Sequence, residues 1–177
     1  MQCSVPKVLR TTPRTFVPRN NQVRTFWEYV NMMFNKPDPD RIKQLGPDRA
    51  CAEWVLRNGG KVIWEGGKKL DDYNSLPPEV GCEKLSNIIL HNADYIDDRA
   101  LKGLSFGQNT LTHLQVSKCV NVTDAGLKSL VSLDKLEILL MFNLMSVENL
   151  QECKQYIQKH LPKCKVTDLK GMQPNNK

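Results

Sequence analysis

Six cysteines and three histidines are the side chains of this sequence best suited to nucleophilic or metal chemistry, and their spacing limits what they can do. The cysteines stand at 3, 51, 82, 119, 153 and 164, and no two form a C-x-x-C pair. His91, His113 and His160 are not at zinc spacing from one another or from a cysteine, so no metal site of thiolate and imidazole is expected. The sharpest case is Cys119 in "CVNVTDAGLKSL", shortly ahead of a helix start at Thr123. A reactive thiol there needs a neighbouring base and a lowered pKa, and the sequence offers neither. No Ser/His/Asp constellation and no phosphate-cradling Gly loop can be assembled, so no residue is assigned a catalytic role.

What positions Cys119 is an internal repeat with a period of about 26 residues. "LSNIILHNADYIDDRALKGL" starts at Leu85, and "LTHLQVSKCVNVTDAGLKSL" starts at Leu111. In that alignment Ile88, Leu90, Ala93, Ile96, Asp98 and Leu101 fall on Leu114, Val116, Cys119, Val122, Asp124 and Leu127. A third copy follows with Leu136, Leu139 and Met141, then Leu144 and Val147. A truncated fourth continues the spacing with Leu161, Cys164 and Val166. Position 119 therefore holds alanine in the preceding unit and leucine in the next. Cys119 reads as wall material.

Each unit has a period-2 apolar segment, which predicts a short strand with one buried face. A loop and a capped helix follow, with Asp97, Thr123 and Ser146 offering the capping oxygens. Asp98 and Asp124 suit the positive end of the helix dipole. About six inward side chains per unit are worth ~1.5–3 kcal/mol each when buried. Ordering ~26 residues costs ~1–2 kcal/mol apiece in backbone entropy. One unit cannot fold alone, so the units must stack. The expected fold is α/β: a short leucine-rich-repeat solenoid of about four strand–helix units with an N-terminal helical cap.

The cap is read from residues 25–60. Phe26, Trp27, Val30, Met33 and Phe34 form an apolar stripe at helical spacing. "DPDRIKQLG" predicts a short helix with Asp38 as N-cap, Pro39 at N1 and Gly46 as the stop. Pro47 opens another helix, with Trp54 and Val55 inward and Gly59 at its end. "KVIWEGG" predicts a strand whose Val62 and Trp64 precede Ile88 and Leu90 by the same period, as in a degenerate first repeat. The repeat domain is assigned to 61–169, with a disordered tail over 170–177.

Charge separates the N-terminus from the rest. Lys7, Arg10, Arg14, Arg19 and Arg24 precede the first acidic residue, Glu28, and account for five of the six net positive charges. An Arg-rich, acid-free leader without an apolar core fits a mitochondrial transit peptide over residues 1–24. No basic stripe interleaved with aromatics follows it, so nucleic acid is not an expected partner. No apolar run approaches the ~20 residues of a membrane span.

At "FNKPDPDRIKQLGPDRACAEWVLRNGG" the sequence resembles the mitochondrial ATP synthase subunit s family, also called coupling factor B. The likeness runs from about Phe26 to Val166 and includes the family's F-N-K-x-D-x-D-R-I-x-x-x-G-P-D-R-A-x-x-E-W stretch. It implies a non-catalytic protein peripheral to the matrix side of the mitochondrial inner membrane. Such a protein would associate with ATP synthase subunits, or with another inner-membrane respiratory complex, and support coupled proton flow. A member of the same superfamily is linked to assembly of the membrane arm of respiratory complex I, which is the alternative role. The repeats alone fit F-box-like leucine-rich-repeat adaptors equally well. The resemblance also implies a magnesium ion held through main-chain carbonyls, at positions matching Gly59 and Ala93. The family's C-K-C dithiol is departed from here, since Ser117 replaces its first cysteine.

Strand alternation predicts the solenoid's open, concave face. Its side chains would be Asn87, Ile89 and His91; His113, Gln115 and Ser117; Ile138, Leu140 and Phe142; and Lys163, Lys165 and Thr167. The third set is wholly apolar where a solvated strand should carry polar groups. Ile138, Leu140 and Phe142, with Lys163 and Lys165, are therefore the expected partner-binding residues. The competing expectations are that the N-terminal arm formed by the cap residues 25–60, or the C-terminal tail, covers them, or that the strand register slips.

Overall fold

The structure is a computed structural model that describes residues 38–76, 84–107 and 109–168. The apolar stripe at 26–34 and the leader and tail assignments lie outside the described residues.

Two proline-led helices come first, α1 (Pro39–Leu45) and α2 (Pro47–Arg57). The Asp38 carboxylate accepts from the N–H groups of Asp40 and Arg41 at 3.0 and 3.3 Å, closing the start of α1 as expected. Gly46 sits between the helices at φ 81°, where a side chain would be strained, and both stops α1 and precedes Pro47. Cys51, Ala52, Val55 and Leu56 of α2 are buried, while Trp54 is only half-buried.

Six strands follow: β1 (Lys61–Trp64), β2 (Lys69–Leu70), β3 (Leu85–His91), β4 (His113–Ser117), β5 (Ile138–Phe142) and β6 (Lys165–Asp168). They form one sheet in the order β2-β1-β3-β4-β5-β6. From β3 to β6 neighbouring strands are parallel, and the connections carry α3 (Asp98–Gly103), α4 (Asp124–Ser129) and α5 (Leu150–His160). The result is a mixed α/β fold.

Register turns the sequence repeat into core rows. Ile88, Leu114, Leu139 and Val166 are successive cross-strand partners, as are Leu90, Val116 and Met141. All are buried against Leu101, Leu104, Leu127, Leu130, Cys153 and Ile157 from the helical side. Strands β3, β4 and β5 are each followed at once by a left-handed residue, Asn92, Lys118 and Asn143, at φ 55°, 53° and 53°. The chain there leaves the sheet for the loop.

Three expectations are corrected. Val62 does pair with Ile88, but β1 runs antiparallel to β3 and forms a hairpin with β2, so it is not a first parallel repeat. A parallel pairing needs a crossover between the strands, and here the connection is spent partly on the hairpin. In the last unit Leu139 pairs with Val166 rather than with Cys164, two places beyond the position the repeat predicts. The 11-residue α5 replaces the 6-residue helices of the earlier units. A slip of two preserves which face each side chain takes, so Cys164 and Val166 are still buried. Finally, Ser146 is not a cap. Asn149 caps α5 by accepting from Glu152 N–H at 3.0 Å, and Ser146 donates its hydroxyl to the Val120 carbonyl at 2.5 Å.

Candidate functional site

With the helices on one side, no helix among the described residues covers the other side of the parallel sheet. The register sets Asn87, His113, Ile138 and Lys165 in one row, and Ile89, Gln115, Leu140 and Thr167 in the next. His91, Ser117 and Phe142 close the face at the strand ends. Ile138 is 38% exposed, and Leu140 and Phe142 are half-buried, so the apolar set expected from the sequence does line this face. Lys165 stands beside Ile138 in register. Lys163 does not belong to the strand; the two-residue slip leaves it exposed in the turn before β6.

Ser117, expected to face solvent, is fully buried. Its hydroxyl lies 2.8 Å from Nδ1 of His91, receives Nε2–H of Gln115 at 3.1 Å, and is 3.4 Å from the Leu90 carbonyl. A hydroxyl so enclosed fixes the side chains around it and has no room for a substrate. His91 in turn stands 6.4 Å, centroid to centroid, from Phe142, so the polar cluster buttresses one end of the apolar strip. Positions 91 and 117 are equivalent in the repeat, and that equivalence is the sequence signal for their pairing across β3 and β4.

Cys119 is fully buried, with Sγ 3.4 Å from the Ser117 carbonyl and 3.8 Å from that of Leu90. Burial pushes its thiol above the ordinary range. The same cause raises Cys153 to about 11 and Cys51 to about 12. These thiols stay protonated at neutral pH. They act as small apolar groups.

For magnesium, β1 begins at Lys61 opposite Ile89, which puts Gly59 and Ala93 off the same end of the sheet. The Ala93 carbonyl already accepts from Ile96 N–H at 3.1 Å. No group of three His, Cys, Asp or Glu side chains able to hold a metal occurs among the described residues. Magnesium favours octahedral oxygen donors that include one or two carboxylates. Two main-chain carbonyls and water fit only a weak hard-cation site.

Charged residues of the two arm helices hold the arm together. Glu53 is buried and receives Nε and Nη2 of Arg41 at 3.0 and 3.1 Å and Nε of Arg49 at 3.4 Å. One face of α1 is thereby locked to α2 through charge-assisted bonds. Asp48 Oδ1 accepts from the Leu85 N–H at 3.4 Å and from the Thr110 hydroxyl, fastening the arm to the start of two repeats.

Comparison with known proteins gives a consistent answer. ATP synthase subunit s, mitochondrial, of Rattus norvegicus is 34% identical over an alignment covering 82% of this chain and 88% of the relative. The Mus musculus protein of the same name has the same identity and coverage. That of Homo sapiens is 32% identical over the same shares. No family model matches the chain.

Proposed function

The chain belongs to the mitochondrial ATP synthase subunit s family, and from that premise we propose that it is a non-catalytic protein associating with the proton-translocating ATP synthase. It works peripherally at the matrix side of the inner membrane and supports coupled proton flow. Among the described residues no helix is long and apolar enough to cross a membrane, which agrees with a peripheral position. The relatives' shared name carries the association; the protonated, buried thiols support the non-catalytic role.

The architecture is that of a leucine-rich-repeat solenoid with a helical cap, supported by parallel strands whose cross-strand partners Asn87, His113 and Ile138 recur at the spacing of the sequence repeat. Residues 1–24 serve as the import leader, and Gly59 and Ala93 offer a low-affinity magnesium site. Contact with the synthase runs through Ile138, Leu140 and Phe142 with Lys165 and Lys163.

Affinity capture from mitochondria tests this directly. The tagged wild-type chain should co-purify ATP synthase subunits. The Ile138→Ser/Leu140→Ser/Phe142→Ser variant should melt within a few degrees of wild type and lose them. None of the three belongs to the fully buried core, where truncations cost ~2–5 kcal/mol each. Capture of the complex I membrane arm in place of the synthase would replace the proposed partner. Synthase capture unchanged in the folded variant would remove this face from the interaction.

A further inference from the structure

We propose that the open sheet face receives an amphipathic helix whose apolar stripe is flanked by carboxylates, an inference that rests on the contact surface proposed above and specifies what it binds. Three observations lead there: the sign of the charge on the face, the spacing of its apolar side chains, and the state of its main chain.

The face carries no negative charge along the parallel strands. From Asn87 to Thr167, no open-face side chain of β3, β4, β5 or β6 is an Asp or Glu. The one acidic strand residue there, Asp168, pairs with Met141 and so takes the helix side. Lys154 and Gln151 of α5 hold its carboxylate at 2.9 Å each. At the opposite edge of the sheet the Lys61 ammonium is met by Asp71 at 3.3 Å. Among the described residues no carboxylate pairs with Lys163 or Lys165. The positive charge therefore lies on the β6 side of the strip, at its Ile138 end, where Lys165 pairs with Ile138 and Lys163 precedes β6, while Thr167 stands beside Leu140.

The spacing suits a helix. Alternate residues of a strand are about 6.6 Å apart, so the strip spans about 13 Å. Along a helix, positions i, i+4 and i+8 are each separated by about 6 Å and cover about 12 Å, so a helix laid along β5 meets nearly the whole strip. The main chain of the face is engaged within the sheet, which leaves nothing for an added strand to pair with except at the edges. A helix satisfies its own backbone and can lie on such a face without stranding polar groups. Its flank toward β6 must then be acidic to meet the lysines.

The test uses the full chain and two designed helical peptides. Both carry the same leucine stripe, one with glutamates along a single flank and the other with glutamines at those positions. By fluorescence anisotropy at low salt the glutamate peptide should bind about five-fold more tightly, the order given by two exposed ion pairs. The gap should close at high salt and in Lys163→Gln/Lys165→Gln. Both peptides should be lost in the triple serine variant. Lys165→Glu, which leaves the apolar strip intact, should bind the glutamate peptide no better than the glutamine one.

Equal affinity of the two peptides for the wild-type chain would overturn the proposal. So would a glutamate peptide that still binds the folded triple variant, or self-association of the chain that this variant abolishes, which would give the face to a second copy. In the mitochondrial capture, retention of the synthase by Lys163→Gln/Lys165→Gln with loss in the triple variant would refute the acidic helix alone. Retention in both would remove the contact surface with it.

Discussion

A Cβ on Gly126 would collide with Oδ1 of Asp98. That carboxylate accepts from the Thr123 N–H at 2.7 Å and from the Thr123 hydroxyl at 2.6 Å, joining one unit's helix to the next unit's cap. Asp124 repeats the contact one unit on, accepting from Glu148 and Asn149 N–H at 2.9 and 3.3 Å. Gly126→Ala should therefore cost about 1–3 kcal/mol in urea unfolding, by forcing the carboxylate away. Combined with Asp98→Ala it should cost less than the sum of the two single losses, because the carboxylate clash has gone and only the 3.0 Å approach to the Asp98 Cα is left; additive losses would show that the two residues are not coupled. The thiols make a second case. Folding raises Cys51 from the ordinary 9.0 to about 12 and Cys153 to about 11. The stability this gives is complete below about pH 9 and is lost as pH rises toward those values, since only the unfolded thiols ionise in between. At pH 8, alkylation followed by mass spectrometry should find Cys51, Cys119 and Cys153 unmodified until the chain unfolds. Rapid labelling of native Cys119 would restore a reactive thiol.

Strand ends show what an element asks of its sequence. Asn92, Lys118 and Asn143 occupy the same left-handed position in successive units. Asn92 and Lys118 donate their N–H groups to the carbonyls of Ser117 and Phe142 at 3.0 and 3.3 Å. Asparagine tolerates that backbone better than lysine does. Lys118→Asn should accordingly raise stability by about 0.5–1 kcal/mol, read from thermal melting. A lowered melting temperature would mean that the lysine side chain contributes something the conformation does not explain. The lengthened α5 belongs to the same scale. An 11-residue helix shifts β6 by two places and, by parity, leaves its buried face unchanged.

At the scale of the molecule, Cys51, Ala52, Val55 and Leu56 join the arm to the core of the repeats, and Asp48 adds a polar clasp across the junction. Its carboxylate, in the first turn of α2, meets Leu85 at the head of β3 and Thr110 ahead of β4. Asp48→Ala should cost about 1–3 kcal/mol by leaving the Leu85 N–H without this acceptor. Hydrogen exchange should then rise in 39–57 while β4 and β5 stay protected. Uniform exchange across the chain would show that Asp48 stabilises no particular junction. The Glu53 cluster works inside the arm, and Asp48 works between arm and sheet.

The repeat, its buried rows and its caps at Asp38, Asp97 and Thr123 were readable from the chain alone, because each rests on local periodicity or on a side chain bonding its own neighbourhood. Cys119 was placed correctly by the alanine and leucine at the equivalent positions. So was the apolar strip of Ile138, Leu140 and Phe142, which follows from strand alternation. Contacts across units were not readable. Nothing local distinguishes Asp98 as a clasp from Asp98 as a dipole partner, or reveals that Ser117 is sealed beneath His91 and Gln115. The same holds for the direction of β1: the repeat's spacing is satisfied by Val62 opposite Ile88 whichever way the strand runs. Sequence spacing determined which residues share a row from β3 to β5. Strand direction, the shift of β6 and the partners of the buried carboxylates were decided by packing between units, where residues distant in the chain compete for the same space and the same donors.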